Sequence, residues 1–404
     1  MQSNITTFYL KFVHNPKNSM YFRELQSHLL NLSRNWSVIS ITGPRQSGKT
    51  TLSRMTFPDY KYVNLEHPIA LQEIKSSPEE FLRLYGNGLI IDEAQRFPDI
   101  FSYVQVLVDE DKTRRYVLSG SSDFLMMQNI SQSLAGRVSV QRLLPLSISE
   151  LGDISSYTTN DLIFRGFYPG VWGDGKKPDE VYESYYETYV QRDVRQIINI
   201  KDIDAFRHFT TLCASRIGSE FNASALSGEV GVSSVTIKQW VSILETSYTV
   251  FLLHPFYRNI GKRLSKTPKI YFYDPGLACY LLGISSSELL AKHPLRGNLF
   301  ENMVVVEMLK SRYNKGIRSN ISFYRDKGQH EVDVIQEYGN KIRAYEIKSA
   351  TSINADFYRN LKYLKILLGD DLLSTQVIYD GEREWPKTED GYLNFRHWKE
   401  DYML

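Results

Sequence analysis

Residues 36–50 read WSVISITGPRQSGKT, in which a short β-branched run leads directly into a glycine-rich loop. The polar segment 50–55 that follows has the composition of a helix, so the local order is strand, loop, helix. In this order, the pattern GxxxxGK[ST] is typical of a loop that binds phosphate groups. Its glycines let backbone N–H groups surround phosphates, and the start of the helix adds a partial positive charge. The stretch therefore predicts an α/β domain with a nucleotide-phosphate site after one of its strands.

Lys49 and Thr50 of this loop have different predicted roles. Lys49 is expected to reach the β and γ phosphates of ATP, and the hydroxyl of Thr50 is expected to bind Mg²⁺. The backbone of the loop and of the first helical turn supplies the other contacts. The predicted nucleotide-binding residues are Gly43, Pro44, Arg45, Gln46, Ser47, Gly48, Lys49, Thr50 and Thr51.

A second apolar run, GLIIDE at 88–93, ends in two carboxylates and has the composition of a buried parallel strand. Asp92 is expected to contact Mg²⁺, and Glu93 is expected to polarise the attacking water. A third run, RYVL at 115–118, leads into SGSS, where Ser121 is expected to contact the γ-phosphate or the water. These residues predict ATP hydrolysis beside the glycine-rich loop.

Arg137 lies in LAGRV at 134–138, on a predicted loop at the end of a sheet strand. An arginine there can stabilise charge on the transferred phosphoryl group, either in its own subunit or in a neighbouring one. A surface or interdomain ion pair is the alternative interpretation. The sequence leaves both open.

Length and charge limit the possible architectures. The chain has 404 residues, of which 42% are hydrophobic and 23% charged, the balance of an ordinary folded protein. Because single cores stop growing at about 250–300 residues, two or three domains are expected. A net charge of +2 is too close to neutral to indicate a nucleic-acid binder by bulk electrostatics, so any basic surface must be local.

Cysteine usage and hydropathy argue against a disulfide-rich, zinc-binding, secreted or transmembrane protein. Cys213 and Cys279 have no cysteine or histidine neighbours at metal spacing, which argues against a disulfide framework and a zinc site. Residues 1–11 lack the pattern of a signal peptide, and no stretch approaches the ~20 apolar residues of a transmembrane helix. The expectation is a cytoplasmic protein without a membrane partner.

The middle of the chain predicts helices. Segment 161–209 is charged and has the pattern of a helical connector, with an apolar stripe. The stripe consists of Tyr182, Tyr185, Tyr186, Tyr189, Val190 and Val194. Segments 223–230 and 236–244 then predict two helices around a glycine turn, with Ser233 as the N-cap of the second. This pattern is typical of a helix-turn-helix, whose second helix can enter a DNA major groove.

Two strand-like runs, 251–253 and 269–273, flank a loop with basic residues and no acidic one. The basic residues are Arg258, Lys262, Arg263 and Lys266. The pattern predicts a winged helix whose wing contacts DNA phosphates. A packing or oligomerisation role for the winged helix is the alternative.

Segments 331–338 and 341–348 flank Gly339-Asn340, which is a β-hairpin signal. If these two residues form the loop, Tyr338 faces Lys341. Continuing the ladder places Asp333 opposite Glu346 and Glu331 opposite Lys348, and all four then share one face. A slip of one residue would break this match.

Two carboxylates this close repel each other unless a cation lies between them, and a lysine beside them can orient or deprotonate a water. Asp333, Glu346 and Lys348 therefore predict a Mg²⁺ site for phosphodiester cleavage. Glu301, in the apolar helical run 299–307, is expected to complete the metal shell. The alternative is a solvated face with ion pairs such as Glu331 with Lys348, worth only ~0.2–1 kcal/mol.

These motifs together resemble a family of bacterial and archaeal AAA+-type P-loop ATPases with a winged-helix middle and a C-terminal restriction-endonuclease-like, PD-(D/E)xK, domain. The matching segments are GPRQSGKT at 43–50, LIIDEAQ at 89–95, LSGSS at 118–122, LAGR at 134–137 and the series FEN, EVD and EIKSA between 300 and 350. Glu301, Asp333, Glu346 and Lys348 match the nuclease pattern.

The resemblance implies an α/β fold in three parts. An ATPase domain with a five-stranded parallel sheet is expected at 1–155, a helical connector and winged helix at 156–283, and an α/β nuclease-like domain at 284–404. The implied function is an ATPase that couples ATP binding and hydrolysis to a DNA-related domain. An ATP-regulated, metal-dependent DNA nuclease and a non-catalytic ATP-dependent signalling or interaction protein are the alternatives. Expected partners are ATP or ADP, double-stranded DNA and further copies of the chain.

Overall fold

The computed structural model describes residues 21–85, 88–121, 123–173, 175–190, 202–257, 267–385 and 390–400. Among them, residues 21–121, 125–154 and 167–181 form one compact unit, and residues 123–124, 155–166 and 182–400 form a second. The division into three domains stays a prediction, and the predicted boundary at 283/284 lies within the second unit.

The first part of the chain alternates helices and strands. In chain order these are α1 (Leu25–Asn35), β1 (Val38–Thr42), α2 (Lys49–Thr56), β2 (Lys61–Asn64), α3 (Pro68–Ser76), α4 (Pro78–Leu84), β3 (Leu89–Asp92), α5 (Ile100–Glu110), β4 (Tyr116–Gly120), α6 (Asp123–Ser133) and β5 (Val138–Arg142). The strands form a five-stranded parallel sheet in the order β2-β3-β4-β1-β5, which confirms the predicted sheet.

The central strands of this sheet are buried on both faces. Ile91 and Leu118 pack into the core on one face, while Ile90 and Val117 pack with Ile39 into the core on the other. Because side chains alternate along a strand, a sheet covered on both faces requires continuous apolar runs. The runs predicted from the sequence at 36–42, 88–93 and 115–118 contain or overlap these strands and meet this requirement.

Among the described residues, the second part of the chain contains most of the helices, a two-stranded sheet and a second five-stranded sheet. Its elements are α7 (Thr159–Arg165), α8 (Pro169–Gly173), α9 (Pro178–Tyr185), a π-helical turn (Tyr186–Val190), α10 (Ile203–Ser215), α11 (Ala223–Val230), α12 (Ser234–Thr246), β6 (Val250–Leu253), β7 (Lys269–Phe272), α13 (Pro275–Leu281), α14 (Ser287–Ala291), α15 (Arg296–Tyr313), β8 (Ile321–Arg325), β9 (Glu331–Tyr338), β10 (Lys341–Lys348), α16 (Arg359–Leu368), β11 (Leu372–Tyr379) and β12 (Asp390–Asn394). None of the helices in the described residues has both the length and the apolar character needed to cross a membrane.

Helices α11 and α12 flank the glycine turn predicted from the sequence. Gly231 ends α11 with φ +79°, a conformation that glycine adopts without strain. Ser233 caps α12 by accepting a hydrogen bond from the Thr236 N–H at 3.0 Å. The predicted apolar face of α12, which includes Ile237 and Trp240, is buried.

Strands β6 and β7 pair antiparallel and correspond to the two predicted strands. The basic residues predicted for the loop between them, Arg258, Lys262, Arg263 and Lys266, lie outside the described residues, as does Val194 of the predicted connector stripe. Tyr182, Tyr185 and Tyr186 of that stripe are buried. The helix-turn-helix pattern is therefore present, while its role as a winged helix stays a prediction.

The C-terminal sheet is mixed, with the order β12-β11-β10-β9-β8. Strands β8, β9 and β10 pair antiparallel, whereas β11 and β12 continue parallel to β10. Helix α16 connects β10 to β11 and buries Leu361 and Leu364 against Ile335 and Val377 of the sheet. The ends of β9 and β10 that lie away from their connecting turn carry Asp333 and Glu346. These ends lie beside α15.

Candidate functional site

The glycine-rich loop has a backbone that only glycine can adopt at its first position. Gly43 has φ +149°, and a Cβ atom there would lie 2.1 Å from the Leu143 carbonyl oxygen, which follows β5. Gly48, at φ +94°, starts α2. The loop therefore packs directly against the segment after β5, and its shape depends on the absence of a side chain at Gly43.

We expect Gly43→Ala to reduce the free energy of unfolding by about 1–3 kcal/mol, because the new methyl group must displace backbone and adopt a strained φ. Urea unfolding monitored without nucleotide measures this effect. Gly170→Ala is the matched control, since no described atom beyond its chain neighbours and its own helix backbone lies within 4 Å of the position of its Cβ. Equal stability of the two variants would contradict the packing described for the loop.

Lys49 is buried inside the loop. Its ammonium donates hydrogen bonds to the carbonyl oxygens of Gly43 at 3.0 Å and Pro44 at 2.7 Å, and the residue is only 6% exposed. Ser47 is buried as well, while Thr51 is exposed on the first turn of α2. The loop thus concentrates the Lys49 ammonium and the first N–H groups of α2 in one small volume.

Thr50 and Asp92, the two predicted Mg²⁺ residues of this domain, are in direct contact. The Thr50 hydroxyl donates to Asp92 Oδ2 at 2.6 Å. Asp92 also accepts from the Ser119 hydroxyl at 2.5 Å and from the Tyr62 hydroxyl at 3.0 Å. The carboxylate at the end of β3 is therefore fixed by donors from the neighbouring strands β2 and β4 and from α2.

Glu93 and Ser121 also lie together. The Ser121 hydroxyl donates to Glu93 Oε2 at 3.1 Å, and the Gln95 side-chain amide donates to the same oxygen. Glu93 has φ +54°, in the left-handed region, which is unusual for a residue with a side chain and is often found at functional sites. The structure thus places all four predicted residues, Thr50, Asp92, Glu93 and Ser121, at the carboxyl end of the sheet.

Arg137 is held by Asp109, a residue of α5. Its guanidinium nitrogen Nε lies 2.8 Å from Asp109 Oδ1, and Nη2 lies 2.7 Å from Oδ2. This hydrogen bonding lowers the pKa of Asp109 to about 2. The surface ion pair considered for Arg137 is therefore present, and its action on a phosphoryl group stays a prediction.

Arg23 was not predicted as part of the site. It is 5% exposed and donates to the carbonyl oxygens of Ser47 at 2.6 Å and Leu144 at 2.7 Å. The Nε atom of Arg23 lies 3.1 Å from Glu150 Oε2. One buried guanidinium thus ties the glycine-rich loop to the segment after β5. The neighbouring loop residue Arg45 lies 3.7 Å from Glu66, and Gln46 has φ +60°.

A second cluster of charged side chains lies in the C-terminal sheet. The observed ladder pairs Tyr338 with Lys341 and continues to Val334 with Tyr345, which confirms the two-residue turn and its register. The Lys348 ammonium lies 2.7 Å from Glu346 Oε1 and 3.5 Å from Asp333 Oδ2. The predicted grouping of these three side chains is therefore observed.

The ion pair that the alternative interpretation placed on this face, Glu331 with Lys348, is not observed between these described residues. Glu331 does not form its ion pair with Lys348 but with Lys269 of β7, whose ammonium lies 2.5 Å from Glu331 Oε1. The reason is that Lys348 reaches towards Glu346 and Asp333, while β7 supplies a closer cation for Glu331. The face is also not solvated, since Asp333 is 7% and Glu346 is 6% exposed.

Glu301, predicted as the additional carboxylate, projects from α15 into the same cluster. Its Oε1 accepts a hydrogen bond from the Tyr271 hydroxyl at 2.5 Å and lies 3.7 Å from the Lys269 ammonium. Burial raises the pKa of both Glu301 and Glu346, and the negative charge on Asp333 raises both pKa values further. Ionising all the acids of this cluster therefore requires compensating positive charge.

Each of these carboxylates uses one oxygen for its contacts with the described residues. The oxygens are Oε1 of Glu301, Oδ2 of Asp333, which also accepts from the Ile347 N–H at 2.8 Å, and Oε1 of Glu346. Among the described residues, no hydrogen-bond partner reaches Oε2 of Glu346, which is buried. Hard carboxylate oxygens of this kind fit a Mg²⁺ or Mn²⁺ ion by chemistry. As they stand, the described side chains include no group of three His, Cys, Asp or Glu residues arranged to hold a metal.

Three successive segments of the chain match known protein families. Residues 35–152 match the family described as an AAA domain. Residues 156–288 and 296–398 match two families described as domains of unknown function, DUF8612 and DUF4143.

Several proteins are similar over most of the chain. An uncharacterized protein of Mycobacterium tuberculosis is 29% identical over 360 residues, covering 87% of this chain and 78% of that protein. An uncharacterized protein of Methanocaldococcus jannaschii is 25% identical over 328 residues, covering 73% and 71%. A Walker-type ATPase of Pyrococcus abyssi is 13% identical, with a TM-score of 0.46 over 65% of this chain and 96% of that one. The family match, the parallel sheet and the glycine-rich loop together support a P-loop domain, similar to the AAA domain family, in the amino-terminal part of the chain.

Proposed function

We propose that this chain binds ATP with Mg²⁺ at the loop 43–50 and hydrolyses it. The observation that carries the proposal is the direct contact between the Thr50 hydroxyl and Asp92 at 2.6 Å, with Glu93 next in the chain. A bound Mg²⁺ ion would neutralise charge on the phosphates. Thr50 and Asp92 supply the hard oxygen donors that this ion prefers.

The other side chains have consistent roles in this proposal. Lys49 and the N–H groups at the start of α2 bind the phosphates, because they concentrate positive charge in the loop. Glu93 orients and polarises the attacking water, and Ser121 holds the Glu93 carboxylate through its 3.1 Å hydrogen bond. Steady-state release of phosphate from ATP tests the proposal: turnover that saturates with ATP and requires Mg²⁺ is expected, and no turnover would contradict it.

We further propose that ATP turnover is coupled to a DNA-related activity of the second unit. Two observations support this. The segment 223–246 has a capped helix-turn-helix of the kind that reads DNA. The C-terminal order helix, three strands, helix, strand, from α15 to β11, carries a buried carboxylate and lysine cluster at one end of the sheet.

Metal-dependent cleavage of DNA is a second candidate function of that cluster. It is favoured by the buried oxygen of Glu346 that has no hydrogen-bond partner in the part of the chain that the structure describes, and by Lys348, which lies beside both Glu346 and Asp333. In this candidate, Glu301, Asp333 and Glu346 would hold a divalent metal ion, whose chemistry would be the activation of a water, and Lys348 would orient that water near the phosphodiester.

We expect Asp333→Asn to reduce cleavage of supercoiled plasmid by at least about 100-fold in Mn²⁺, because it removes a charged metal donor. Gel analysis of nicked and linear products measures the effect. Asp370→Asn changes an exposed carboxyl in the same unit and is the matched control. If the parent protein leaves the plasmid intact in both Mg²⁺ and Mn²⁺, the cleavage candidate is wrong.

A further inference from the structure

Arg23 contacts the glycine-rich loop through the Ser47 carbonyl, and each of its three guanidinium nitrogens has a different partner. Nη1 donates to the Ser47 carbonyl oxygen at 2.6 Å, and Nη2 donates to the Leu144 carbonyl oxygen at 2.7 Å. Nε lies 3.1 Å from Glu150 Oε2. Because a guanidinium is planar and its donors form a fixed fork, these contacts define both its position and its orientation. The Ser47 carbonyl is therefore held in one direction, towards Arg23.

Glu150 anchors Arg23 from the side away from the loop. Its side chain is fully buried. Its two carboxylate oxygens accept hydrogen bonds from the backbone N–H groups of Glu24 at 2.8 Å and Ser147 at 3.0 Å. Little water screens an ion pair at this depth, so the attraction between Arg23 and Glu150 is strong. The guanidinium is thus fixed by contacts that do not depend on the loop.

The peptide group between Ser47 and Gly48 is the part of the loop that Arg23 orients. Among the described residues every peptide bond is trans. The C=O and N–H of a planar trans peptide point in opposite directions, so the Gly48 N–H points away from Arg23. Gly48 has φ +94°, and because glycine has a wide choice of backbone conformations, this peptide can rotate unless it is restrained. The hydrogen bond from Arg23 to the Ser47 carbonyl supplies that restraint.

We propose that Arg23 is a positioning residue of the nucleotide site, which orients the peptide between Ser47 and Gly48 so that the Gly48 N–H donates to a phosphate of ATP. This inference rests on the proposed binding of ATP at the loop 43–50. The N–H groups of such a loop surround phosphates, and an N–H directed at a charged oxygen makes a charge-assisted hydrogen bond. Arg23 acts through the peptide, from the side opposite to the bound phosphate.

Steady-state ATP hydrolysis by Arg23→Lys, with KM and kcat measured separately, tests the proposal. Lysine keeps a positive charge opposite Glu150, but its single ammonium cannot reproduce the fork of three contacts. A contact made equally to substrate and transition state affects KM and not kcat, so kcat is expected to stay within about twofold of the parent. The expected KM is roughly tenfold higher, which corresponds to one weakened hydrogen bond to a charged group.

Arg115→Lys is the matched control. Arg115 also donates to backbone carbonyl oxygens, those of Ser33 at 3.0 Å and Lys112 at 2.7 Å. It directly precedes β4, which runs parallel to β1, so it lies at the end of the sheet opposite to the loop. We expect the control to have the KM and kcat of the parent.

The separate constants distinguish positioning from a loss of stability. A variant that is merely less stable contains fewer active molecules, which lowers the apparent kcat and leaves KM unchanged. An unchanged KM in Arg23→Lys, with or without a lower kcat, therefore overturns the positioning role and leaves the ATP site standing. A parent protein without saturable ATP turnover contradicts the proposed function itself, and the role of Arg23 with it.

Glu150→Gln serves if Arg23→Lys does not fold. The amide keeps the size of the carboxylate but removes the charge that attracts Arg23, so it loosens the guanidinium without replacing it. The same direction of change is expected, a higher KM with kcat near that of the parent. The KM of the parent in a folded Glu150→Gln would overturn the positioning role.

Discussion

Lys49→Ala is expected to abolish measurable ATP binding. The buried ammonium is the one lysine charge within the loop 43–50, and two charge-assisted contacts to phosphate of about 1.5 kcal/mol each correspond to roughly a 100-fold loss of affinity. Calorimetry or fluorescence titration with ATP and Mg²⁺ measures this loss of ATP affinity. Removing the side chain also frees the carbonyl oxygens of Gly43 and Pro44 that now accept its hydrogen bonds.

Lys112→Ala is the matched control for this change. Lys112 is an exposed lysine of the same unit, ion-paired with Asp109 at 2.9 Å. We expect it to bind ATP as the parent does. Unchanged ATP affinity in Lys49→Ala, with the fold intact by circular dichroism, would remove the loop 43–50 from the nucleotide site.

Glu93→Gln is expected to retain ATP but hydrolyse it very slowly. The amide keeps nearly the same shape but cannot accept a proton from the attacking water, and loss of a general base typically lowers a rate by about 10²–10⁴-fold. Ser121 can still hydrogen-bond to the amide oxygen, so the geometry seen at 3.1 Å is expected to survive. Single-turnover hydrolysis and ATP binding measured on the same sample separate the two effects.

The control for Glu93→Gln is Glu110→Gln, which changes an exposed carboxyl at the end of α5. Its turnover is expected to equal that of the parent. If Glu93→Gln turns over ATP at the parent rate, Glu93 is not the residue that polarises the water, and the assignment must move to another carboxylate.

Features that depend on neighbouring residues in the chain could be predicted from sequence. The register of β9 and β10 follows from Gly339-Asn340, because a two-residue loop leaves only one way to pair the strands that it joins. The contact between Thr50 and Asp92 follows from a motif whose strand and loop have fixed geometry.

Features that depend on distant strands could not be predicted. Tyr62 and Ser119 reach Asp92 because β2 and β4 flank β3, an order that the sequence does not specify. Lys269 joins Glu301 and Glu331 because β7 packs beside α15, although no local pattern distinguishes this lysine from a solvent-exposed one. Strand alternation predicts that Lys269 and Tyr271 lie on the same side of β7. It does not predict which residues of other elements they contact.

ATP turnover by the full chain, measured with and without duplex DNA, tests the central claim most directly. The claim is that the P-loop domain drives or regulates a DNA-related second unit. It predicts that turnover in Mg²⁺ rises when duplex DNA is added and that Glu93→Gln removes both the basal and the stimulated rate. Turnover that stays the same from low to saturating DNA would contradict the coupling of the two units.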